Sequence, residues 1–179
     1  MSRSLFNIGN FAAYQLAWFA VILGAAHGFA WAGAALAILV AAAHVTLRRD
    51  ALEVKLIALA AVIGMLVDST LAISGQVRFA AAWPENLAPY WMLSLWIAFA
   101  TTLNHSLRWL MVHPVAAALA GAVGGPLAYL AGAKLGALTI VAPATTLLLI
   151  AMLWTLAMVS LSMIVMRAAL MPAVARLPT

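Results

Sequence analysis

The sequence predicts an all-α fold, a polytopic membrane bundle of about six transmembrane helices with both termini cytoplasmic, and three observations carry that prediction. Of 179 residues, 68% are hydrophobic and only 7% are charged, with a mean hydropathy of +1.13. Ordinary soluble domains carry about 25% charge, so a water-soluble fold is excluded. A helix needs roughly 20 apolar residues to cross ~30 Å of hydrocarbon, and the chain divides into six such runs. With the N-terminus inside, Arg3, Arg48, Arg49, Lys55, Arg108, Arg167 and Arg176 fall on one side, and only Arg78 and Lys134 on the other. That bias puts the richer side in the cytoplasm.

The first span is expected over 7–26. Arg3 ahead of an apolar stretch ending in Gly24-Ala25-Ala26 resembles a cleavable signal. Asn7, Asn10, Tyr14 and Gln15 interrupt its core, however, so it reads as a retained helix. A turn near His27-Gly28 leads to a second span over 29–47, stopped by Arg48-Arg49-Asp50, and a third runs over 52–73. The stretch 74–88 is the longest polar segment, and Pro89 then suits the first turn of a fourth span over 90–111. His113-Pro114 opens a fifth span over 114–131, and a sixth covers 144–166. Residues 135–142 precede Pro143 and are expected to form an interfacial or re-entrant piece. Trp31, Trp83, Tyr90, Trp91 and Tyr129 are expected at the outer interface and Trp109 at the inner one. The whole of 1–179 is thereby assigned to one transmembrane domain.

Transmembrane helices associate through small residues and interhelical hydrogen bonds, because lipid is as apolar as leucine. Ala117, Gly121 and Gly125 form a small-residue ladder that serves either a homodimer seam or, by the commoner use of this spacing, packing within one chain. Gly124-Gly125-Pro126 is a candidate helix break that would line a cavity.

Polar side chains at membrane depth are costly, and they form the short list of functional candidates. An inner group gathers Asn7, Asn10 and Tyr14 on the first helix, His44 near the end of the second, and Asn104, His105 and Arg108 on the fourth, where Ser94 and Thr101 continue the stripe. Amide, imidazole, phenol and guanidinium groups at headgroup level suit a phospholipid or another amphiphilic anion, with Arg108 on its phosphate. The bland alternative is helix-to-helix hydrogen bonding with a snorkelling Arg108. An outer group centres on Asp68, either a proton carrier or cation ligand, or else an ion pair with Arg78 or a helix-end hydrogen bond. At ~1.5 Å rise per residue, Asp68 and His105 lie in opposite leaflets and are not expected to touch.

Absent motifs narrow the chemistry. With no cysteine, disulfides and thiolate sites are excluded. No GxSxG, P-loop or dinucleotide fingerprint occurs, so no cofactor is expected, and nine dispersed basic residues make no nucleic-acid face. His44, His105 and His113, with Asp50 and Glu53 on the same side, lack compact ligand spacing, so no metal is expected either.

The run Pro89-Tyr90-Trp91-Met92-Leu93-Ser94-Leu95-Trp96 with Phe99-Ala100-Thr101-Thr102-Leu103, the stretch from Gly121-Ala122 through Gly125-Pro126-Leu127-Ala128-Tyr129 to Gly132 and Leu135-Gly136-Ala137, and Asp68 ending the third span carry a resemblance. In these blocks the chain resembles the bacterial inner-membrane proteins of domain-of-unknown-function family 2878, over nearly its whole length. The resemblance implies the bacterial inner membrane and no assigned activity. It also implies genes for cyclopropane-fatty-acid-synthase-like methyltransferases and flavin-dependent oxidoreductases as neighbours, hence membrane lipids and lipid-modifying enzymes as partners. Three functions follow as alternatives. The favoured one binds a phospholipid or acyl intermediate as an accessory or catalytic component of lipid modification, with His105, Asn104 and Asp68 as candidate catalytic groups. The second is a small proton- or cation-coupled transporter or flippase, and the third a structural subunit or scaffold. The sequence leaves open whether the protein is an enzyme.

Overall fold

A computed structural model describes residues 2–174, so Arg176 of the charge count lies outside the described residues. Seven helices are present among them: α1 (Arg3–Ala26), α2 (Ala30–Arg48), α3 (Ala51–Ile73), α4 (Tyr90–Leu103), α5 (Arg108–Met111), α6 (Pro114–Lys134) and α7 (Pro143–Val174). Five are long and apolar enough to cross a membrane: α1, α2, α3, α6 and the Pro143–Arg167 part of α7. Their outward faces carry Leu16, Trp31, Leu39, Leu66, Leu119 and Leu156, each more than 60% exposed, as expected of surface that meets lipid rather than water. The chain is a multi-pass membrane protein.

Local chemistry sets the helix ends. Asp50 caps α3, its side chain accepting from the Leu52 N–H at 2.9 Å. Pro114 opens α6 at a position whose missing N–H costs no helical bond. Pro89 stands just before α4 as its cap residue rather than inside the first turn. Gly28, Gly75 and Gly136 take positive φ at the turns after α1, α3 and α6.

The fourth span differs from expectation. It ends as a helix at Leu103; the next four residues form a turn, and α5 follows as a single turn. At 1.5 Å per residue α4 is ~21 Å long, too short to cross alone. It sits in the centre, with Trp91, Trp96, Ala98, Ala100, Thr101, Thr102 and Leu103 all at most 2% exposed. A short helix is tolerated there because α1, α2 and α3 pack around it, so its frayed end meets protein rather than lipid. Trp91 and Tyr129 are accordingly core residues, not interface aromatics, whereas Trp31, Trp83 and Trp109 are exposed.

Two short strands, invisible to the helical reading, close the opposite end. β1 (Val77–Phe79) lies in the segment after α3 and β2 (Leu138–Ile140) in the segment expected to be interfacial or re-entrant. They pair antiparallel with Val77 opposite Ile140 and Phe79 opposite Leu138. Gln76 strengthens the junction: its carbonyl accepts from the Val141 N–H at 3.0 Å, and its side-chain oxygen from the Thr146 hydroxyl at 2.6 Å. The Trp91 indole donates to the Ala80 carbonyl at 2.9 Å, tying the cap to α4.

The small-residue ladder works within the chain. A Cβ on Gly121 would lie 2.5 Å from the Trp154 carbonyl oxygen, and one on Gly125 2.4 Å from the Trp154 ring. α7 therefore occupies the face of Ala117, Gly121 and Gly125 that a homodimer seam would need. The expected break at Gly124-Gly125-Pro126 does not occur, since α6 continues through Pro126. Gly124 nevertheless borders an apolar cavity, and a Cβ there would meet nothing within 4 Å.

Gly64 and Gly124 make a matched test. A Cβ on Gly64 would come within 2.1 Å of the Trp96 ring. Gly64→Ala is expected to cost about 1–3 kcal/mol through overpacking, read as a lower melting temperature in detergent, while Gly124→Ala is expected to leave stability unchanged.

Candidate functional site

The turn that ends α4 builds the site. Residues 104–107 bring Asn104 and His105 over the start of α3 and the end of α2, where Glu53 and His44 lie. Glu53 is 1% exposed, and three polar side chains meet its carboxylate. Its Oε1 accepts from Asn104 Nδ2 at 2.8 Å and lies 3.0 Å from His105 Nε2; its Oε2 lies 3.2 Å from His44 Nε2. The side chains of His44 and His105 are 4% and 8% exposed, and their rings meet edge to face at 4.9 Å. A carboxylate out of water is tolerated only when it is well bonded, and this one is.

A second layer holds the imidazoles. Asn10 on α1 points Nδ2 at the Thr101 carbonyl (3.2 Å) and at His44 Nδ1 (3.4 Å), and its Oδ1 accepts from the Ser106 hydroxyl at 2.8 Å. Phe6 packs against both rings, at 6.1 Å from His44 and 5.3 Å from His105. The Arg108 guanidinium donates to Asn104 Oδ1, so one amide links a cation to the buried carboxylate.

Above this floor opens a pocket of about 520 Å³ lined by Phe6, Asn7, Leu47, Arg48, Asn104, His105 and Arg108. Arg48 lies over the Phe6 ring at 5.1 Å, in cation–π range. Two guanidinium groups, two amides and an imidazole at one mouth are the equipment for an oxyanion.

The expected inner group is thus largely assembled, with two differences. Asn7, Asn104, His105 and Arg108 line the pocket and Asn10 and His44 lie beneath it. Tyr14 is elsewhere: its ring packs on Phe99 at 5.7 Å and borders an apolar cleft of about 50 Å³ with Trp18, Trp96, Tyr129 and Trp154. The stripe through Ser94 and Thr101 does not reach the pocket, because the helix ends before His105 and both hydroxyls bond back to their own helix. His113 is exposed, with Nδ1 on the Trp109 carbonyl.

The sequence offers Glu53 only as an acid on the same side as the histidines, and Arg48 only as a charge that ends a span. Glu53 had one signal, an acid in the first turn of an otherwise apolar span, which equally suits a helix N-terminus. Spacing along the chain does not reveal that His44, Glu53 and His105, from three separate segments, offer ligand atoms within 4.8 Å of one another.

Asp68 stands apart from this site, as the rise along the helices requires. It is fully buried and pairs with neither Arg78 nor a helix end; the Trp96 indole donates to Oδ2 at 2.7 Å and the Tyr129 hydroxyl donates to Oδ1.

The family model described as "Protein of unknown function (DUF2878)" matches residues 7–160, spanning both polar clusters. The chain belongs to this family. No curated protein and no solved structure matches it. The family match covers Asn7, Asn10, Arg48, Glu53, Asp68 and the α4 turn alike, so both clusters are part of the family domain.

Trp96→Phe removes one of two donors from a buried carboxylate together with one ring of buried packing. It is expected to cost about 1–3 kcal/mol, measured by thermal unfolding in detergent, and Asp68→Asn is expected to reduce that penalty in the double mutant.

Proposed function

We propose that this family member binds an anionic amphiphile, a phospholipid or acyl intermediate, at the inner leaflet of a bacterial cytoplasmic membrane, as an accessory or catalytic component of membrane lipid modification. The observation that carries the reading is the 520 Å³ pocket, where Arg48 and Arg108 flank Asn7, Asn104 and His105. Its position at the Arg-rich end of the bundle supports a site at headgroup level on the side the charge bias assigns to the cytoplasm. Guanidinium groups bind phosphate in bidentate fashion, and two of them at one mouth select an anionic over a zwitterionic headgroup.

An apolar cavity for the tail adjoins the pocket. It measures about 260 Å³, is walled by Leu5, Gly9, Ala13, Val40 and Ala43, and shares Phe6 and Leu47 with the polar mouth. Small residues Gly9, Ala13 and Ala43 keep that wall open. The transport alternative has no comparable support, because Asp68 is held by Trp96 and Tyr129. If chemistry occurs on the ligand, His105 and Asn104 are the pocket groups nearest the buried carboxylate.

Native mass spectrometry of the detergent-purified protein tests this with phosphatidylglycerol against phosphatidylcholine. Wild type is expected to retain the anionic lipid preferentially, and Arg48→Ala and Arg108→Ala each to weaken it roughly tenfold, the scale of one charge-assisted hydrogen bond. Equal retention of both lipids, or no effect in either variant, sinks the reading. In cells, a changed acyl profile in a deletion strain that wild type restores and well-expressed His105→Ala does not would place the pocket in lipid modification.

A further inference from the structure

Beneath the pocket, three ligand-type atoms converge at a buried carboxylate that has no direct ion pair with an arginine or lysine among the described residues. Glu53 is a carboxylate sealed from water, and its direct partners are one amide and two imidazoles. Arg108 is linked to it through Asn104. A buried anion so placed calls for a positive charge on the imidazole side, supplied either by a proton or by a metal ion.

The geometry points to a divalent first-row transition metal, zinc or ferrous iron, held by His44, Glu53 and His105. Ligand atoms about 2.0–2.2 Å from a common ion stand roughly 3.0–3.4 Å apart at tetrahedral or octahedral angles. His44 Nε2 stands 3.2 Å from Oε2 and His105 Nε2 3.0 Å from Oε1, one imidazole to each carboxylate oxygen, and one ligand atom from each of the three residues lies within 4.8 Å of the others. Two imidazoles and one carboxylate are a donor set that suits zinc or iron(II) and leaves further positions open. His105 and Asn104 line the pocket, so an open position faces that space. The outer partners are those a metal site needs. Asn104 bonds the liganding carboxylate, and Asn10 stands at His44 Nδ1. Metal on His44 Nε2 places the proton on Nδ1; Asn10 answers by turning its amide to present Oδ1, giving up its bond to the Thr101 carbonyl while Ser106 accepts from Nδ2. This inference goes beyond amphiphile binding and stands without it.

Full-length protein in detergent, stripped with chelator and desalted, is titrated separately with Zn(II) and Co(II) in the absence of added lipid. The expected result is one equivalent of metal per chain by elemental analysis, a Co(II) ligand-field spectrum with imidazole coordination, and a rise in melting temperature. His44→Ala, His105→Ala and Glu53→Gln are expected to abolish uptake, and Asn104→Ala to weaken it about tenfold, while His27→Ala and His113→Ala retain it. Wild type that takes up no metal overturns the inference whatever the variants do, and means that a proton neutralises Glu53. Uptake that survives loss of His44 and His105, or that disappears with His27 or His113, overturns it as well. If the ligand variants do not fold, a wild-type Co(II) spectrum without imidazole coordination has the same force.

Discussion

The structure depends on α3 burying two carboxylates and on α4 supplying partners for both. Of four acidic residues in the chain, Asp50 and Glu85 are exposed, whereas Glu53 and Asp68 are at most 1% exposed. Lipid offers no solvation, so each buried acid must be met by donors from neighbouring helices. Trp96 meets Asp68 from the body of α4, and Asn104 and His105 meet Glu53 from the turn at its end. The two acids are fifteen positions apart, about 22 Å along a helix, so they fix α4 against α3 in both angle and height. Gly64, one turn before Asp68, leaves the space into which the Trp96 ring fits.

The same constraint explains why the pocket is where it is. Had α4 continued as a helix to residue 111, Asn104 and His105 would have kept helical directions fixed by the turns before them. Ending it at Leu103 lets consecutive residues turn toward one carboxylate, and sends Ser106 back to Asn10 on α1. The polar floor therefore joins the turn residues Asn104 and His105 to Asn10, His44 and Glu53, which are held on helices. The β1–β2 pair and the Trp91–Ala80 bond anchor the other end, so α4 is fixed at both termini.

How much of this was legible divides along physical lines. Hydropathy gives the apolar part of each long helix within a few residues, because the ~30 Å core demands a minimum run of apolar residues. It does not show that α4 stops at Leu103, since a buried interior helix is as apolar as a lipid-facing one and composition carries no mark of where it ends. The strands at Val77–Phe79 and Leu138–Ile140 are three residues each, too short for a period-two signal. In the site, Asn7, His105 and Arg108 stood out because polar groups at depth are rare. Glu53 did not, because its role depends on His44 and His105 arriving from other segments, which spacing along one chain cannot express. Tyr14 was misplaced by the reverse error: it shares a helix with Asn7 and Asn10, but seven residues separate it from Asn7, and by that depth its neighbours are Phe99 and the apolar cleft.

Small residues on α6 show why motif and role must be argued from the partner rather than the spacing. Ala117, Gly121 and Gly125 repeat every four residues, and so do Ala120, Gly124 and Ala128 on the adjoining face. The first series is consumed by packing: Trp154 of α7 lies against two of its three positions so closely that a methyl group would collide. The second borders the cavity beside Tyr14 and Phe99, and at Gly124 a methyl group would touch nothing. Identical spacing thus brings two helices together on one face and keeps space open on the next. A lone glycine ladder carries no functional message until its occupant is known. Here the occupant of the first face is a helix, and the second lies beside Leu107, one residue from the arginine that marks the polar mouth.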